Sequence, residues 1–237
     1  MSTCLLTRFA YCASERLCVP LDIFMFMEKV IITISRECGT GGREIACRLG
    51  EKLGLRVYDK AILEAVSEKY HLNKQEIDRI KAKKLNFWDD FCQFYRQFDI
   101  DRPVYQPESR KVTSRELYYT ESQIMRNLAE QESCIILGRC GFSVFKDNPD
   151  AVKIFIHADR DVRIKRIVAT KGLDANAAVE YIDEIDKARE NFTKYFASSS
   201  IYDTRNYDFS INVSRYSAED VAAFLAENIR RRMERKL

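Results

Sequence analysis

Three glycines, Gly39, Gly41 and Gly42, lie within four positions of one another and are followed at once by a cation, Arg43. An apolar, β-branched run typical of a buried strand precedes them, and apolar residues at helical spacing follow them. A glycine-rich turn between a strand and a helix presents backbone N–H groups, and the positive end of the helix dipole lies beside them. Residues 30–44 therefore predict a loop that binds phosphate groups.

This loop lacks the lysine that the common P-loop pattern requires. Aligned with G-x-x-x-x-G-K-[ST], the chain has Arg36 in place of the first glycine and Gly42 in place of the lysine. The nearest cation that could take over the lysine's charge is Arg43, one position later. The segment is therefore predicted to be a phosphate loop of unusual sequence, with Arg43 as the candidate cation.

Two alternative interpretations of the same segment stay open. Asp59 lies at the distance from the glycines at which a dinucleotide-binding fold places the carboxylate that holds a ribose hydroxyl. However, the pattern G-x-G-x-x-G needs a small residue where the chain has Glu44, and a carboxylate there would repel a pyrophosphate. The second alternative is a strand, turn and helix without any ligand. We favour phosphate binding over both.

Two further apolar runs lead into basic residues. The first ends in the pair Gly138-Arg139, and the second is followed by Arg163 and Arg166. Together with residues 30–44, these segments resemble the cytidylate kinases, in which one strand ends in Gly-Arg-Asp and an Ala-Ser-x-x-x-Arg-x-x-Arg segment follows a later strand. The chain is therefore identified as resembling this family of P-loop nucleoside monophosphate kinases.

The resemblance continues towards the C-terminus. Segment 183–189, which contains Asp186 and Arg189, is similar to the family's Arg-Asp-x-x-Asp-x-x-Arg motif. Residues 207–213 are similar to its last core strand. The start Ser-Arg-Glu-x-Gly-x-Gly-Gly-Arg-Glu resembles, more narrowly, the cytidylate kinase-like branch in which the P-loop lysine is absent.

Alternating strand and helix patterns predict an α/β fold. Helical patterns, one of them at residues 115–131, separate the strand-like runs. Such alternation implies a mainly parallel five-stranded sheet covered by helices on both faces, and the resemblance implies a P-loop kinase-like three-layer fold. The predicted strands lie near residues 30–35, 56–58, 134–137, 152–157 and 208–213.

We interpret residues 28–237 as one kinase-like domain, because a chain of 237 residues can bury one sizeable core. The resemblance implies a monophosphate-binding insertion at residues 72–112 and a lid at residues 166–196 that closes over the phosphates. Residues 1–27 do not fit this domain. We expect them to be a disordered extension or a misassigned start, with a packed N-terminal element as the alternative.

The resemblance implies transfer of the ATP γ-phosphate to CMP or dCMP, with Mg²⁺ accompanying the nucleotide. Phosphoryl transfer depends on positioning and cationic stabilisation more than on base chemistry. No protein ligand is predicted for the metal, because Mg²⁺ keeps much of its hydration. The implied ATP-binding residues are Cys38, Gly39, Thr40, Gly41, Gly42 and Arg43, the catalytic arginines are Arg43, Arg163, Arg166 and Arg189, and the acceptor-binding residues are Asp59, Arg139 and Asp186.

Composition and charge argue against several other classes of partner. The net charge of +3, from 39 basic and 36 acidic residues, creates no global field that would attract nucleic acid or an anionic membrane. No uninterrupted apolar stretch reaches the roughly 18 residues that a membrane span needs. The eight cysteines form no C-x-x-C pairs, which predicts reduced thiols in a cytoplasmic protein. The oligomeric state is not indicated.

The missing lysine leaves an alternative function from another class, a catalytically weak nucleotide-binding or regulatory protein that keeps the kinase scaffold. A dehydrogenase is the least favoured function. Release of ADP in the presence of a monophosphate acceptor distinguishes a kinase from both.

Overall fold

The computed structural model describes residues 29–59 and 114–234 of the chain. The predicted N-terminal extension 1–27 and the predicted insertion 72–112 lie outside the described residues. A five-stranded sheet lies at the centre of the described part, and every neighbouring pair of its strands is parallel. In the spatial order β2-β3-β1-β4-β5, the strands are β1 (Ile31–Arg36), β2 (Arg56–Tyr58), β3 (Cys134–Leu137), β4 (Ala151–His157) and β5 (Phe209–Asn212).

The parallel sheet confirms the prediction, and each strand boundary falls within one residue of the predicted position. The burial of the strands follows from their places in the sheet. Central β1 is buried along almost its whole length, and its three isoleucines, Ile31, Ile32 and Ile34, supply the apolar side chains of this strand. Edge strand β5 alternates between partly buried and exposed residues, because only one of its faces packs on the protein.

Helices surround this sheet in the described residues, and a short 3₁₀ turn at Thr204–Asn206 precedes β5. The helices are α1 (Gly42–Leu53), α2 (Ser114–Gln131), α3 (Gly141–Val144), α4 (Arg160–Lys171), α5 (Ala175–Ala197) and α6 (Ala218–Glu234).

Two apolar layers fix the sheet between these helices. On one face, the core joins Leu49 of α1 and Leu225 of α6 to Ile32 of β1, and all three side chains are fully buried. On the other face, Met125 of α2 packs with Ile136 of β3. Each such side chain contributes about 1.5–3 kcal/mol through removal from water. The result is the predicted three-layer arrangement, helices on both faces of a parallel sheet.

The predicted lid segment 166–196 covers parts of two helices rather than one. Helix α4 ends at Gly172, whose backbone is left-handed, and α5 begins after Asp174. The Asp174 carboxylate accepts hydrogen bonds from the N–H groups of Asn176 and Ala177, each at 2.9 Å. Its function as a lid stays a prediction.

The carboxyl ends of the parallel strands bring the predicted site residues to one edge of the sheet. The glycine-rich loop follows β1, Asp59 follows β2, Arg139 follows β3, and α4 begins after β4. Ligands of open α/β sheets bind beyond this edge. Within residues 29–59 and 114–234, no helix has both the length and the apolar character needed to cross a bilayer.

Candidate active site

The glycine-rich loop forms a sharp connection between β1 and α1. Gly39 has a φ of +80°, and a Cβ atom built on it would lie 2.8 Å from the carbonyl oxygen of Arg163. The first hydrogen bond of α1 runs from Ile45 N to Gly41 O at 3.1 Å. Among the described residues no side chain caps this helix, so the first-turn N–H groups remain available to an anion.

Arg163 and Asp186 anchor the loop from the opposite side. Arg163 is 7% exposed, and its Nη1 donates to an Asp186 carboxylate oxygen at 2.6 Å. The other Asp186 oxygen accepts from Cys38 N at 2.7 Å, and Arg163 Nε lies 3.5 Å from the Glu37 carboxylate. Asp186 therefore couples α5 to α4 and to the loop. In this arrangement, the predicted catalytic Arg163 and the predicted acceptor-binding Asp186 bind each other.

Two more predicted arginines contact the loop backbone. Arg189 of α5 donates from Nη1 to the carbonyl oxygen of Arg36 at 3.1 Å, and its Nη1 lies 3.7 Å from Asp186. Arg166 of α4 donates from Nη1 to the carbonyl oxygen of Thr40 at 3.3 Å. These contacts place both guanidinium groups against the glycine-rich loop, and their catalytic role stays a prediction.

Arg43 and Asp59 form an ion pair with each other. The Arg43 side chain is 45% exposed, whereas that of Asp59 is 11% exposed. The pair joins the start of α1 to the carboxyl end of β2, so these two predicted site residues lie together at the sheet edge. The predicted role of Arg43 as the substitute for lysine stays a prediction.

Arg139 binds a buried carboxylate that the motif search did not select. Its Nε donates to Glu121 of α2 at 2.8 Å, its Nη2 donates to the same oxygen, and Cζ lies 4.3 Å from the centre of the Phe192 ring. The Glu121 side chain is fully removed from water. A signal for Glu121 exists in the sequence, because it lies on the same helix face as Ile124 and Leu128, where an apolar residue is expected.

A cleft of about 360 Å³ opens at the carboxyl ends of β1 and β3, under α5. Arg36 reaches into the region beside Gly138, since a Cβ atom built on that glycine would lie 2.3 Å from Arg36 Nη1. Burial and the neighbouring positive charge of Arg189 lower the pKa of Arg36, while Asp59 acts in the opposite direction. The lining includes Arg36, Gly138, Arg139, Cys140, Arg189 and Phe192.

Cys140 stands where the resembled family has the aspartate of its Gly-Arg-Asp motif. Its thiol is buried and lies 3.6 Å from the Thr193 hydroxyl. Burial raises the pKa of Cys140 to about 11, so the thiol is neutral at physiological pH. A neutral group in place of a carboxylate leaves the positive charge of this cleft uncompensated at that position.

Arg36 is the residue of this cleft that the motif search missed. Within the described residues its side chain makes no hydrogen bond or ion pair, and its carbonyl oxygen accepts a hydrogen bond from Arg189. The sequence signal is its position, because the P-loop pattern places its first glycine there. A large cation at a glycine position indicates a local rearrangement of the loop.

Mg²⁺ has no preformed cluster of protein ligands in the described residues. No group of three His, Cys, Asp or Glu side chains in this part of the chain could hold a metal ion. Two of the acidic residues nearest the loop, Asp59 and Asp186, are engaged by arginines. Position 43, where the P-loop pattern has a hydroxyl ligand for the metal, holds an arginine.

Comparisons with known proteins agree with this architecture. A cytidylate kinase of Methanopyrus kandleri is 24% identical over 221 residues, which cover 90% of this chain and 99% of that protein. A cytidylate kinase of Sulfolobus acidocaldarius is 25% identical over 202 residues, covering 85% and 94% of the two chains. The crystal structure of an uncharacterized protein from Eubacterium ventriosum superimposes with a TM-score of 0.63 at 22% identity, over 85% of this chain and 99% of that one.

The sequence profile of the cytidylate kinase-like family matches residues 31–215. This match spans all five strands and the glycine-rich loop, and it confirms the predicted family and the α/β, P-loop kinase-like fold. The chain belongs to the cytidylate kinase-like family.

Proposed function

We propose that this protein is a nucleoside monophosphate kinase that transfers the γ-phosphate of ATP to CMP or dCMP. Family membership and fold support a nucleotide kinase and therefore a phosphotransferase. The observation that carries the finer proposal is the cleft of about 360 Å³ beside the glycine-rich loop, with arginines on its walls. Its volume lies in the range of small-molecule sites, and its charge suits a phosphorylated acceptor.

The reaction needs positioning and positive charge rather than a general base. An oxygen of the CMP phosphate forms a bond to the γ-phosphorus of ATP, while the bond from that phosphorus to the β,γ-bridging oxygen breaks. The products are CDP and ADP. The attacking phosphate oxygen is already anionic at neutral pH, and the transferred group spreads its charge over oxygens that cations stabilise.

On the donor side, the free N–H groups at the start of α1 would hold the β-phosphate of ATP. Arg166 crosses the loop at Thr40 and is near enough to stabilise charge on the transferred phosphate. Arg163 and Asp186 would keep the loop in its phosphate-binding shape, because together they bind both polar backbone atoms of Cys38. Direct contact of either residue with a ligand stays a prediction.

On the acceptor side, Arg139 and Arg189 line the same cleft from β3 and α5. Arg139 uses Nε and Nη2 for Glu121, and its Nη1 donates to no described residue. We expect that nitrogen to bind the phosphate of CMP, while Glu121 and Phe192 hold the guanidinium plane in place. A direct role for Asp59 at the acceptor stays a prediction, since its carboxylate binds Arg43.

Mg²⁺ would enter with ATP, held largely by nucleotide oxygens and water, because this ion keeps much of its hydration. A cytoplasmic location is also part of the proposal. It is supported by the described cysteines Cys38, Cys47, Cys134 and Cys140, all of which are free thiols.

The proposal is tested by a coupled assay of ADP release with ATP and CMP, dCMP, UMP, AMP, GMP or shikimate, with and without Mg²⁺. We expect the highest kcat/KM with CMP or dCMP. Binding of ATP without stimulation of ADP release by any monophosphate would contradict the kinase function. That result would favour the second candidate, a catalytically weak nucleotide-binding or regulatory protein, which the absence of lysine at position 42 supports.

Replacing Arg139 by lysine tests the acceptor site. Lysine keeps a positive charge opposite Glu121, but its single nitrogen cannot bind Glu121 and the CMP phosphate in the way that the separate nitrogens of arginine can. The stacking of a planar guanidinium on Phe192 is also lost. We expect KM for CMP to rise about tenfold, equivalent to about 1.4 kcal/mol, with the affinity for ATP unchanged. Steady-state kinetics at saturating ATP measure this effect. Unaltered CMP kinetics would move the acceptor site away from Arg139.

A further inference from the structure

At positions 36 and 42, this chain has a cation and a glycine in the opposite order to the common P-loop pattern. The pattern has a glycine at position 36 and a lysine at position 42, whereas this chain has a large cation first and a glycine second. A Cβ atom built on Gly42 would lie 3.0 Å from Arg36 Cγ and 3.1 Å from Arg36 Cβ. The Arg36 stem therefore fills the space in which a lysine side chain at position 42 would begin.

A second glycine makes room for the charged end of Arg36. A Cβ atom built on Gly138 would lie 2.3 Å from Arg36 Nη1, which is closer than nonbonded atoms approach. The Arg36 side chain thus runs from the start of α1, where its stem lies beside Gly42, to the end of β3, where its guanidinium lies beside Gly138. This is the boundary across which a phosphoryl group would move from donor to acceptor.

The Arg36 side chain has no hydrogen bond or ion pair with the described residues, unlike the neighbouring arginines, although the charge of Asp59 acts on it from a greater distance. Arg43 pairs with Asp59, Arg139 with Glu121 and Arg163 with Asp186.

The Arg36 side chain makes no hydrogen bond or ion pair in the described part of the chain, and Arg189 adds a like charge beside it. Desolvating a cation without a hydrogen-bonded counter-charge is unfavourable. An anionic ligand would remove that cost.

We propose that Arg36 binds the phosphates of the nucleotide and supplies the charge that a lysine supplies in the common P-loop. This inference rests on the proposed phosphotransfer function, and it assigns the role to Arg36 instead of the sequence candidate Arg43. Arg43 is engaged by Asp59 and is 45% exposed. The planar guanidinium of Arg36 can bind two phosphate oxygens at once, which a lysine cannot.

Relocating the charge tests this assignment directly. The variants are Arg36→Gly, Gly42→Lys and the double variant with both changes, which recreates the common arrangement. We expect Arg36→Gly to slow transfer from ATP to CMP by roughly 10²-fold. The double variant should recover most of that loss, because removing the Arg36 stem clears the space beside position 42. A double variant no faster than Arg36→Gly would overturn the proposal.

Binding and stability measurements separate a ligand role from a structural one. Arg36→Met, which retains an apolar stem, should weaken ADP binding in calorimetry at least about tenfold. It should also raise the Tm of the ligand-free protein, because it removes a desolvated cation that has no ion pair among the described residues. The matched control is Arg231→Met, since that side chain is 65% exposed and lies on α6; its ADP affinity should equal that of the wild type.

Three outcomes would overturn the role of Arg36: wild-type ADP affinity in Arg36→Met, a lowered Tm of that variant without ligand, or a larger loss of ADP affinity in Arg43→Met. The proposed kinase function can be contradicted independently of the role of Arg36. If no monophosphate stimulates ADP release but ADP binding still depends on Arg36, the assignment of Arg36 stands and the kinase activity does not.

Discussion

Replacing Asp186 by alanine is expected to lower the free energy of unfolding by about 3–5 kcal/mol, the cost of breaking a buried ion pair. The variant leaves the guanidinium of Arg163, which is 7% exposed, without the carboxylate at 2.6 Å. It also removes the acceptor of the Cys38 N–H group. Urea denaturation followed by circular dichroism measures the change. Activity should fall as well, because the loop loses its link to α5.

Asp183 provides a matched control on the same helix, one turn earlier. Its side chain is 56% exposed and binds Arg160, which is 47% exposed. Asp183→Ala should therefore lower the free energy of unfolding far less than Asp186→Ala does, because exposed ion pairs contribute little to stability. Equal losses from the two alanine variants would contradict the anchoring role of Asp186. Asp186→Asn separates the hydrogen bond with Cys38 from the ion pair with Arg163. The asparagine side-chain oxygen can still accept a hydrogen bond from Cys38 N, but the side chain has no negative charge to pair with Arg163.

Replacing Gly39 by alanine is expected to reduce turnover by about 10²-fold or more, the scale of a misplaced catalytic group. The φ of +80° at Gly39 disfavours any residue with a Cβ atom. In addition, that Cβ atom would lie 2.8 Å from the backbone oxygen of Arg163, which no side-chain movement can relieve. The loop must therefore shift relative to α4. Steady-state kinetics with ATP and CMP measure the loss.

A matched variant at Gly172 separates the effect of a positive φ from the effect of the contact between the loop and α4. It also has a positive φ, +67°, but a Cβ atom built on it meets nothing within 4 Å. Gly172→Ala should cost only the conformational preference, about 1–2 kcal/mol of stability, with turnover nearly unchanged. If both variants lose the same activity, the close approach between the loop and α4 is not what positions the phosphates.

The arginines around the loop divide into two groups by their partners. Arg43, Arg139 and Arg163 each bind a carboxylate, which fixes the surrounding elements relative to one another. Arg36 has no carboxylate partner in the described residues, and Arg189 reaches Asp186 only at 3.7 Å. The first group is expected to affect both stability and activity when changed. Loss of Arg36 should weaken ligand binding and raise the stability of the ligand-free protein.

Local patterns in the sequence were sufficient to locate the strands and the phosphate loop. An apolar run such as Ile31–Ile34 and its closing glycines specify a buried strand and a tight turn through interactions between near neighbours. The family motifs also identified the loop residues and the arginines of α4 and α5. What these patterns could not supply was the partner of each charge, because a motif describes residue types and spacing but not contacts.

Only the tertiary structure decided those partners. Asp186 contacts Cys38, which is 148 residues away, and Arg163 contacts Cys38 from 125 residues away. Parallel strands joined by helical crossovers bring such distant segments to one sheet edge. Glu121 illustrates the limit, since its place on an apolar helix face signalled a buried charge but not its pairing with Arg139. Arg36 shows the same limit, because the space for its side chain lies beside Gly42 at the start of α1 and Gly138 at the end of β3, which only the fold brings close to it.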